Sequence, residues 1–77
     1  MRTMTKEKIG ERLKSLRESR GMTKRFVSKK TRIPYRTVCS YEYGERIPSD
    51  QNKVVLANFF GTTVGDLFFA EDNNEMR

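Results

Sequence analysis

Apolar residues recur along the first part of the chain with the spacing of one helical face. Ile9, Leu13 and Leu16 stand at i, i+4 and i+7 in a segment otherwise rich in charged residues. This spacing predicts an amphipathic helix over residues 5–20. Gly21 follows it and can adopt the left-handed backbone conformation that closes a helix. The first predicted element is therefore a surface helix with one buried stripe.

Two short helices are predicted next, on either side of a proline. Thr23 offers a side-chain oxygen as the N-cap of helix two, which runs to about Thr31 with Val27 on its inner face. Pro34 has no N–H to lose and restricts the residue before it, so we expect it at the first position of helix three, over residues 34–43. Because so few residues join these helices, they must cross at a steep angle.

The last two predicted helices begin at hydroxyl caps. Ser49 caps helix four, over residues 50–60, and Thr63 with Asp66 three residues later resembles a capping box that opens helix five. The apolar residues of helix four, which form its predicted stripe, are Val54, Leu56, Ala57 and Phe60. No stretch alternates apolar and polar residues for long enough to predict a strand.

Composition limits the class of protein. The chain has 77 residues with one cysteine and no histidine, so no disulfide or zinc framework supports it. We expect an all-α domain of five helices over residues 1–70 and a polar, disordered tail over residues 71–77. Without a long apolar segment or signal sequence, a soluble cytoplasmic protein is expected. The missing histidine and glycine-rich phosphate loop argue against an enzyme, and no metal, cofactor or small-molecule ligand is predicted.

Positive charge is concentrated in the first two thirds of the chain. Residues 1–46 carry fourteen Lys and Arg against five Asp and Glu, a net charge of +9, whereas residues 47–77 carry two against five, a net charge of −3. The cations that follow one another without an intervening acid are Lys24, Arg25, Lys29, Lys30, Arg32 and Arg36. This asymmetry is typical of proteins that bind a polyanion, and a solvated basic surface is the alternative interpretation.

Helix three divides into an apolar face and a polar face. If Ile33, Val38 and Tyr41 face the core, the opposite face carries side chains that can hydrogen-bond the edges of bases in a DNA major groove. The outward residues are Tyr35, Arg36, Cys39, Ser40 and Tyr43, with Thr37 beside them. Arg36 suits guanine O6 and N7 as a fork. The pattern favours a DNA-reading helix, and ordinary surface residues are the alternative.

Residues 9–68 resemble the Cro and phage-repressor type of helix-turn-helix domain, the XRE family. The segment "LKSLRESRGMTKRFV" is similar to the family's first helix and the start of its second. "IPYRTVCSYEYGERIPS" matches the core Val-Ser-x-x-x-Ile-x-x-Trp-Glu-x-Gly-x-x-x-Pro-Ser without a gap, and "VVLANFFGTTVGDLF" matches the last two helices. Each segment alone is weakly specific for the family, but their order and spacing together are strong evidence for the resemblance. The resemblance implies a lambda-repressor-like fold in which helices two and three form the helix-turn-helix.

The resemblance also implies roles for matching positions. The base-reading residues are predicted to be Tyr35, Arg36, Thr37 and Ser40. Contacts to the DNA backbone are predicted for Thr23, Lys24, Arg25, Tyr43 and Arg46. The family pairs an arginine of helix one with the glutamate of helix three, here Arg17 and Glu42, and we interpret this pair as structural.

Several residues depart from the family pattern. Arg32 stands where relatives prefer a turn glycine, which costs free energy if the backbone there is left-handed. Lys53 stands where helix four is usually apolar. Phe26 and Phe59 would suit either a self-association patch or an irregular core, whereas we assign Phe60 to the core.

The function implied by the resemblance is sequence-specific binding of double-stranded DNA by a transcriptional regulator. We expect a repressor without a sensor or cleavage domain, acting as a homodimer on a palindromic operator in a prokaryotic cell or its mobile element. The alternative is a protein-interaction role, such as an antitoxin or anti-repressor, on the same scaffold. The cations of helices two and three favour DNA, and helix two lacks the wide apolar face that a membrane partner requires.

Overall fold

The structure is a computed structural model that describes residues 2–70, and helices dominate it. The five helices are α1 (Lys6–Ser19), α2 (Lys24–Thr31), α3 (Tyr35–Glu42), α4 (Asp50–Phe60) and α5 (Val64–Phe68). The predicted five-helix, all-α class is confirmed. The tail predicted over residues 71–77 lies outside the described residues.

Hydroxyl side chains start four of the helices. The capping residues are Thr5, Thr23, Ser49 and Thr63, and each side-chain oxygen accepts a hydrogen bond from the backbone N–H three residues later at 3.0–3.2 Å. Such bonds satisfy N–H groups that have no partner within the helix. Helix α3 differs, since Pro34 is its N-cap residue with an extended ψ of 143°. The prediction that Pro34 is the first helical residue was therefore wrong by one position.

One apolar core lies among the helices. Its buried residues are Met4, Ile9, Leu13, Val27, Ile33, Val38, Tyr41, Leu56, Ala57, Phe60, Leu67 and Phe68. Phe60 lies in it as predicted, but the predicted inner position of Val54 is wrong, because that side chain is 49% exposed. Lys53 is buried instead, with Nζ 5.2 Å from the ring centroid of Phe69. A lysine can occupy this buried position because its aliphatic stem packs in the core while its ammonium group lies over an aromatic ring.

A short pairing between the two ends of the described chain was not predicted. Strands β1 (Arg2–Thr3) and β2 (Phe69–Ala70) are antiparallel, with Thr3 opposite Phe69. The backbone N–H of Met4 extends this contact by donating to the Phe68 carbonyl at 3.1 Å. Strands of two residues show no alternation of polarity, so no sequence pattern indicates them. The pairing ties the entry of α1 to the exit of α5.

Helix α3 packs against α1 at very short range. A Cβ added at Gly10 of α1 would lie 2.6 Å from the backbone oxygens of both Tyr41 and Glu42. Only glycine permits this approach without movement of the backbone, so Gly10 sets the distance between the two helices. The inner side of α3 is thereby fixed, and its outer side is presented at a defined position.

The turn from α2 to α3 is left-handed at Arg32. Its φ is 64° and its ψ is 19°, and it is the only non-glycine residue within 2–70 with a positive φ. A side chain in this conformation is strained. Two hydrogen bonds hold the turn: the Arg32 N–H donates to the Ser28 carbonyl at 2.8 Å, and Ser28 Oγ donates to the Ile33 carbonyl at 2.6 Å.

Candidate nucleic-acid interface

The outer face of α3 carries the side chains predicted to read bases. Tyr35 and Arg36 are exposed in the first turn, while Thr37 and Ser40 are half-buried. The opposite face of the helix, with Val38 and Tyr41, is buried. Because α3 spans Tyr35–Glu42, the exposed residues lie at its amino-terminal end, where a helix that enters a groove end-on makes its deepest contacts.

The first residue of α2 contacts the residue that follows α3. Nζ of Lys24 lies 3.4 Å from the hydroxyl oxygen of Tyr43 and 5.0 Å from the centroid of its ring. The hydrogen bond to Tyr43 raises the pKa of Lys24. Since the ammonium donates to the phenol oxygen, the phenol O–H remains able to donate outward. Two donors thus stand side by side on an exposed surface, an arrangement that suits a phosphate group.

The second residue of α2 contacts the first residue of α3. The guanidinium carbon of Arg25 lies 4.3 Å from the ring centroid of Tyr35. Stacking of this kind restricts both side chains and leaves the guanidinium edge free to donate hydrogen bonds. Adjacent cations of α2 therefore reach the tyrosines at the two ends of α3.

A shallow groove lies between the starts of α2 and α3. Its volume is about 430 Å³, and the residues that line it are Arg17, Met22, Thr23, Lys24, Arg25 and Tyr35. The hydroxyl oxygen of Thr23 accepts from the Phe26 N–H at 3.0 Å, which leaves its own O–H to donate. The positive end of the α2 dipole and the neighbouring cations favour an anion here.

The predicted backbone-contact residues are not all brought together. Thr23, Lys24 and Arg25 line the groove, and Tyr43 joins them through its contact with Lys24. Arg46 is exposed in the loop between α3 and α4, at a position that the described contacts do not link to the groove. Sequence reasoning named these residues one by one and missed their pairing. The sequence feature that could have indicated these contacts is the pair of adjacent cations at the start of α2 together with the tyrosines at both ends of α3.

Arg17 and Glu42 form an ion pair beneath this surface. Nε of Arg17 donates to Oε2 of Glu42 at 2.7 Å, and Nη2 donates to Oε1 at 3.0 Å. Nη1 donates to the carbonyl of Met22 at 2.8 Å. The hydrogen bond to Glu42 raises the pKa of Arg17. The two side chains are only 10% and 5% exposed, so the pair joins α1 to α3 from within.

Within residues 2–70, no group of three or more His, Cys, Asp or Glu side chains is placed to hold a metal ion. Over the same residues, every helix is too short or too polar to cross a membrane.

Comparisons with known proteins agree on the type of domain. A family model described as "Helix-turn-helix" matches residues 13–67. A comparison with curated proteins gave no match.

Several solved structures are similar to this chain. The DNA-binding domain of BldD from S. venezulae is 30% identical with a TM-score of 0.72, over 83% of this chain and 96% of that one. The apo form of the competence regulator ComR from Streptococcus vestibularis is 28% identical with a TM-score of 0.75, over 83% of this chain but 22% of that one. The clp gene regulator ClgR from Corynebacterium glutamicum shares the fold at 22% identity, with a TM-score of 0.75, over 87% of this chain and 71% of that one. Because the family match spans more than half of the residues, the chain belongs to the XRE family of helix-turn-helix proteins.

Proposed function

We propose that this protein is a transcriptional regulator that binds double-stranded DNA sequence-specifically, with α3 in the major groove. The observation that carries the proposal is the exposed start of α3 beside the cations of α2, with Arg25 stacked on Tyr35 at 4.3 Å. An α-helix fits the major groove, where each base pair presents a distinct set of donors and acceptors. The similarity to a solved domain described as DNA-binding and to two described regulators supports it.

Base reading is assigned to the outer face of α3. Arg36 forms a two-donor contact with guanine O6 and N7, and the hydroxyl groups of Thr37 and Ser40 donate or accept at neighbouring bases. Tyr35 reaches a thymine methyl group or a phosphate from the same turn. Because Arg25 restrains this ring, its position is set before DNA arrives, which lowers the entropy lost on binding.

Backbone contacts are assigned to residues around the groove. Lys24 and Tyr43 donate to one phosphate, and Thr23 and Arg25 donate at the start of α2. Arg46 reaches the phosphates from the loop that follows α3. These contacts carry no sequence information, but they position α3 and make binding depend on salt concentration.

The regulator acts as a homodimer and represses transcription. Two copies related by a twofold axis place their α3 helices in successive major grooves, about 34 Å apart, and so read a palindromic operator. A dimer seated on a promoter excludes other proteins from that DNA, which is the simplest mode of repression.

Selection of bound sites from a random oligonucleotide pool tests this function. The expected result is a palindromic consensus whose half-sites are about one helical turn apart. DNase I footprinting on the selected duplex then locates the protein, and sedimentation gives the number of copies bound. Enrichment of no motif, with binding that depends on salt alone, would contradict the proposal.

A further inference from the structure

Three aromatic rings lead from the core to the surface between α2 and α4. Phe60 is buried, Phe59 is half-buried, and Phe26 is 41% exposed. The Phe59 ring centroid lies 5.0 Å from that of Phe60, nearly edge-on, and 6.5 Å from that of Phe26. Both distances fall in the range of favourable aromatic pairs. We call Phe26 and Phe59 the aromatic patch.

Cations border the aromatic patch. Nζ of Lys30 lies 5.6 Å from the ring centroid of Phe26. The guanidinium carbon of Arg20 lies 5.4 Å from the ring centroid of Phe60, which is the buried neighbour of the patch and not part of it. Lys29 is exposed on α2, three residues after Phe26 and therefore on a neighbouring part of the same face. The sequence places no acidic residue within positions 21–41 or 51–60. The patch is thus an apolar centre with a positive rim.

The aromatic patch lies away from the groove proposed to bind DNA. Phe26 follows Lys24 by two residues, which rotates it by about 200° around the axis of α2. Lys30 follows Phe26 by four residues and shares its side of the helix. The groove and the patch therefore occupy different sides of α2, and a partner on one leaves the other accessible.

We infer that the aromatic patch docks an acidic, amphipathic segment of a partner protein. Apolar side chains of that segment lie on Phe26 and Phe59, and its carboxylates pair with the rim cations Lys29 and Lys30. Charge complementarity selects this partner, because a second copy of this chain would bring the same cations together. Duplex DNA matches the charge, but its outer surface is phosphate and sugar, and its apolar thymine methyl groups lie in the major groove that α3 is proposed to enter. The exposed ring area is small, so the contact is a weak and transient one.

A peptide titration followed by NMR tests this inference on the full chain. The probe is a synthetic helix-forming peptide with Leu and Phe at i, i+3, i+4 and i+7 and with Asp or Glu elsewhere. Its control has the same composition in scrambled order. We expect amide shift changes confined to α2 and α4 around the patch, and at least fivefold tighter binding than by the scrambled peptide.

Paired variants separate the patch from general charge and general apolarity. Phe26→Ser and Lys30→Glu should each weaken the peptide at least fivefold. Val54→Ser removes another exposed apolar side chain, and Lys14→Glu reverses an exposed charge on α1, so both should leave peptide binding unchanged. Because Phe26 and Lys30 are exposed, both variants should fold, which far-UV circular dichroism checks.

Four results would overturn the inference. Equal loss in Lys30→Glu and Lys14→Glu would show that only net charge matters. Shift changes centred on α3 would move the contact to the proposed DNA surface. A dimer that Phe26→Ser abolishes in sedimentation experiments would assign the patch to a second copy. A matching loss of duplex affinity in Phe26→Ser would assign it to DNA. The inference does not rest on the proposed function, and random-pool selection tests that function separately.

Discussion

The two sides of α3 are held in place by contacts of different kinds. On the inner side, Gly10 brings α1 within reach of the α3 backbone, and the buried Arg17–Glu42 pair links the same two helices. On the outer side, Lys24 and Arg25 rest on exposed tyrosine rings. The inner contacts are buried and closely spaced, whereas the outer ones face solvent.

Because of this difference, the inner contacts of α3 should determine stability, and the outer residues should affect mainly binding. Loss of one partner from a buried pair leaves an uncompensated charge and costs several kcal/mol, about 3–5. An exposed cation–aromatic contact contributes about 0.5–1 kcal/mol. The outer residues can therefore change with little effect on folding, so the proposed DNA-binding surface can vary without loss of the fold.

The strongest test of the comparison removes the buried arginine. Arg17→Ala leaves the Glu42 carboxylate buried without its partner and should lower the free energy of unfolding by about 3–5 kcal/mol. Since small domains are stable by only about 5–15 kcal/mol, much of the protein's stability would be lost. Urea unfolding followed by circular dichroism measures the change.

Two further variants keep this test specific. Lys14→Ala removes an exposed cation of the same helix and should change stability by less than about 0.5 kcal/mol. The double variant Arg17→Met with Glu42→Leu removes both charges and should recover part of the loss, because neither charge is left unpaired. A single-variant cost below about 1 kcal/mol would show that water reaches the pair as easily as at a surface salt bridge.

The close approach of α1 to α3 gives the second prediction. Gly10→Ala adds a methyl group 2.6 Å from two backbone oxygens. Alanine favours a helix by about 1 kcal/mol over glycine, but the backbone must move, so we expect a net destabilisation of about 1–3 kcal/mol. Thermal unfolding measures it, with exposed Ser15→Ala of the same helix as the control. Unchanged stability in Gly10→Ala would mean that the two helices separate freely.

The sequence predicts the helices better than the distances between them. Ser49 and Thr63 indicate helix starts because capping is a local interaction between a side chain and a backbone N–H nearby. Gly10 offers no such local indication. Within a helical pattern a glycine indicates only lower helix stability, and the reason for this one lies in the backbone of α3, more than thirty positions away. Val54 is exposed for a related reason. Polarity alone does not show that Lys53, and not its apolar neighbour, lies against the aromatic rings of Phe68 and Phe69.

For the candidate site, the sequence predicted single residues but not the contacts between them. The resemblance identified Lys24 and Tyr43 by position, but the 3.4 Å contact between them depends on how α2 crosses α3. The same holds for Arg25 and Tyr35. The Arg17–Glu42 pair is the exception, because the family pattern specifies both of its members. Pair contacts across a helix crossing require three-dimensional information unless a known pattern already contains them.

The third prediction concerns the outer side of α3. Arg36→Ala should weaken binding to the selected duplex by about 1–3 kcal/mol and relax the preference at one base pair, because it removes the proposed two-donor contact with guanine. Fluorescence anisotropy on the consensus, on single-base variants and on random DNA measures this. Since Arg36 is exposed, stability should not change, which urea unfolding verifies.

Lys24→Ala gives the fourth prediction. Unlike Arg36→Ala, it should weaken DNA binding without changing the preference for any base pair. The substitution removes the proposed phosphate contact, so affinity should fall for all sequences alike, and the slope of log K against log salt should decrease in magnitude by about one. Exposed Lys14→Ala serves as the matched lysine control. If Arg36→Ala and Lys24→Ala lost affinity identically on selected and random DNA, α3 would not be the reading helix.

The smallest predicted effect, and the only gain in stability, is at the left-handed turn from α2 to α3. Arg32 holds a left-handed φ of 64°, which strains a residue with a Cβ by about 1–2 kcal/mol. Arg32→Gly should therefore stabilise the protein by about 0.5–1 kcal/mol after the greater chain entropy of glycine in the unfolded state is subtracted. Arg32→Ala is the discriminating control, since it removes the same charge but keeps the Cβ. A gain in the glycine variant alone assigns the effect to backbone strain, whereas equal gains in both would assign it to relief of repulsion among the neighbouring cations.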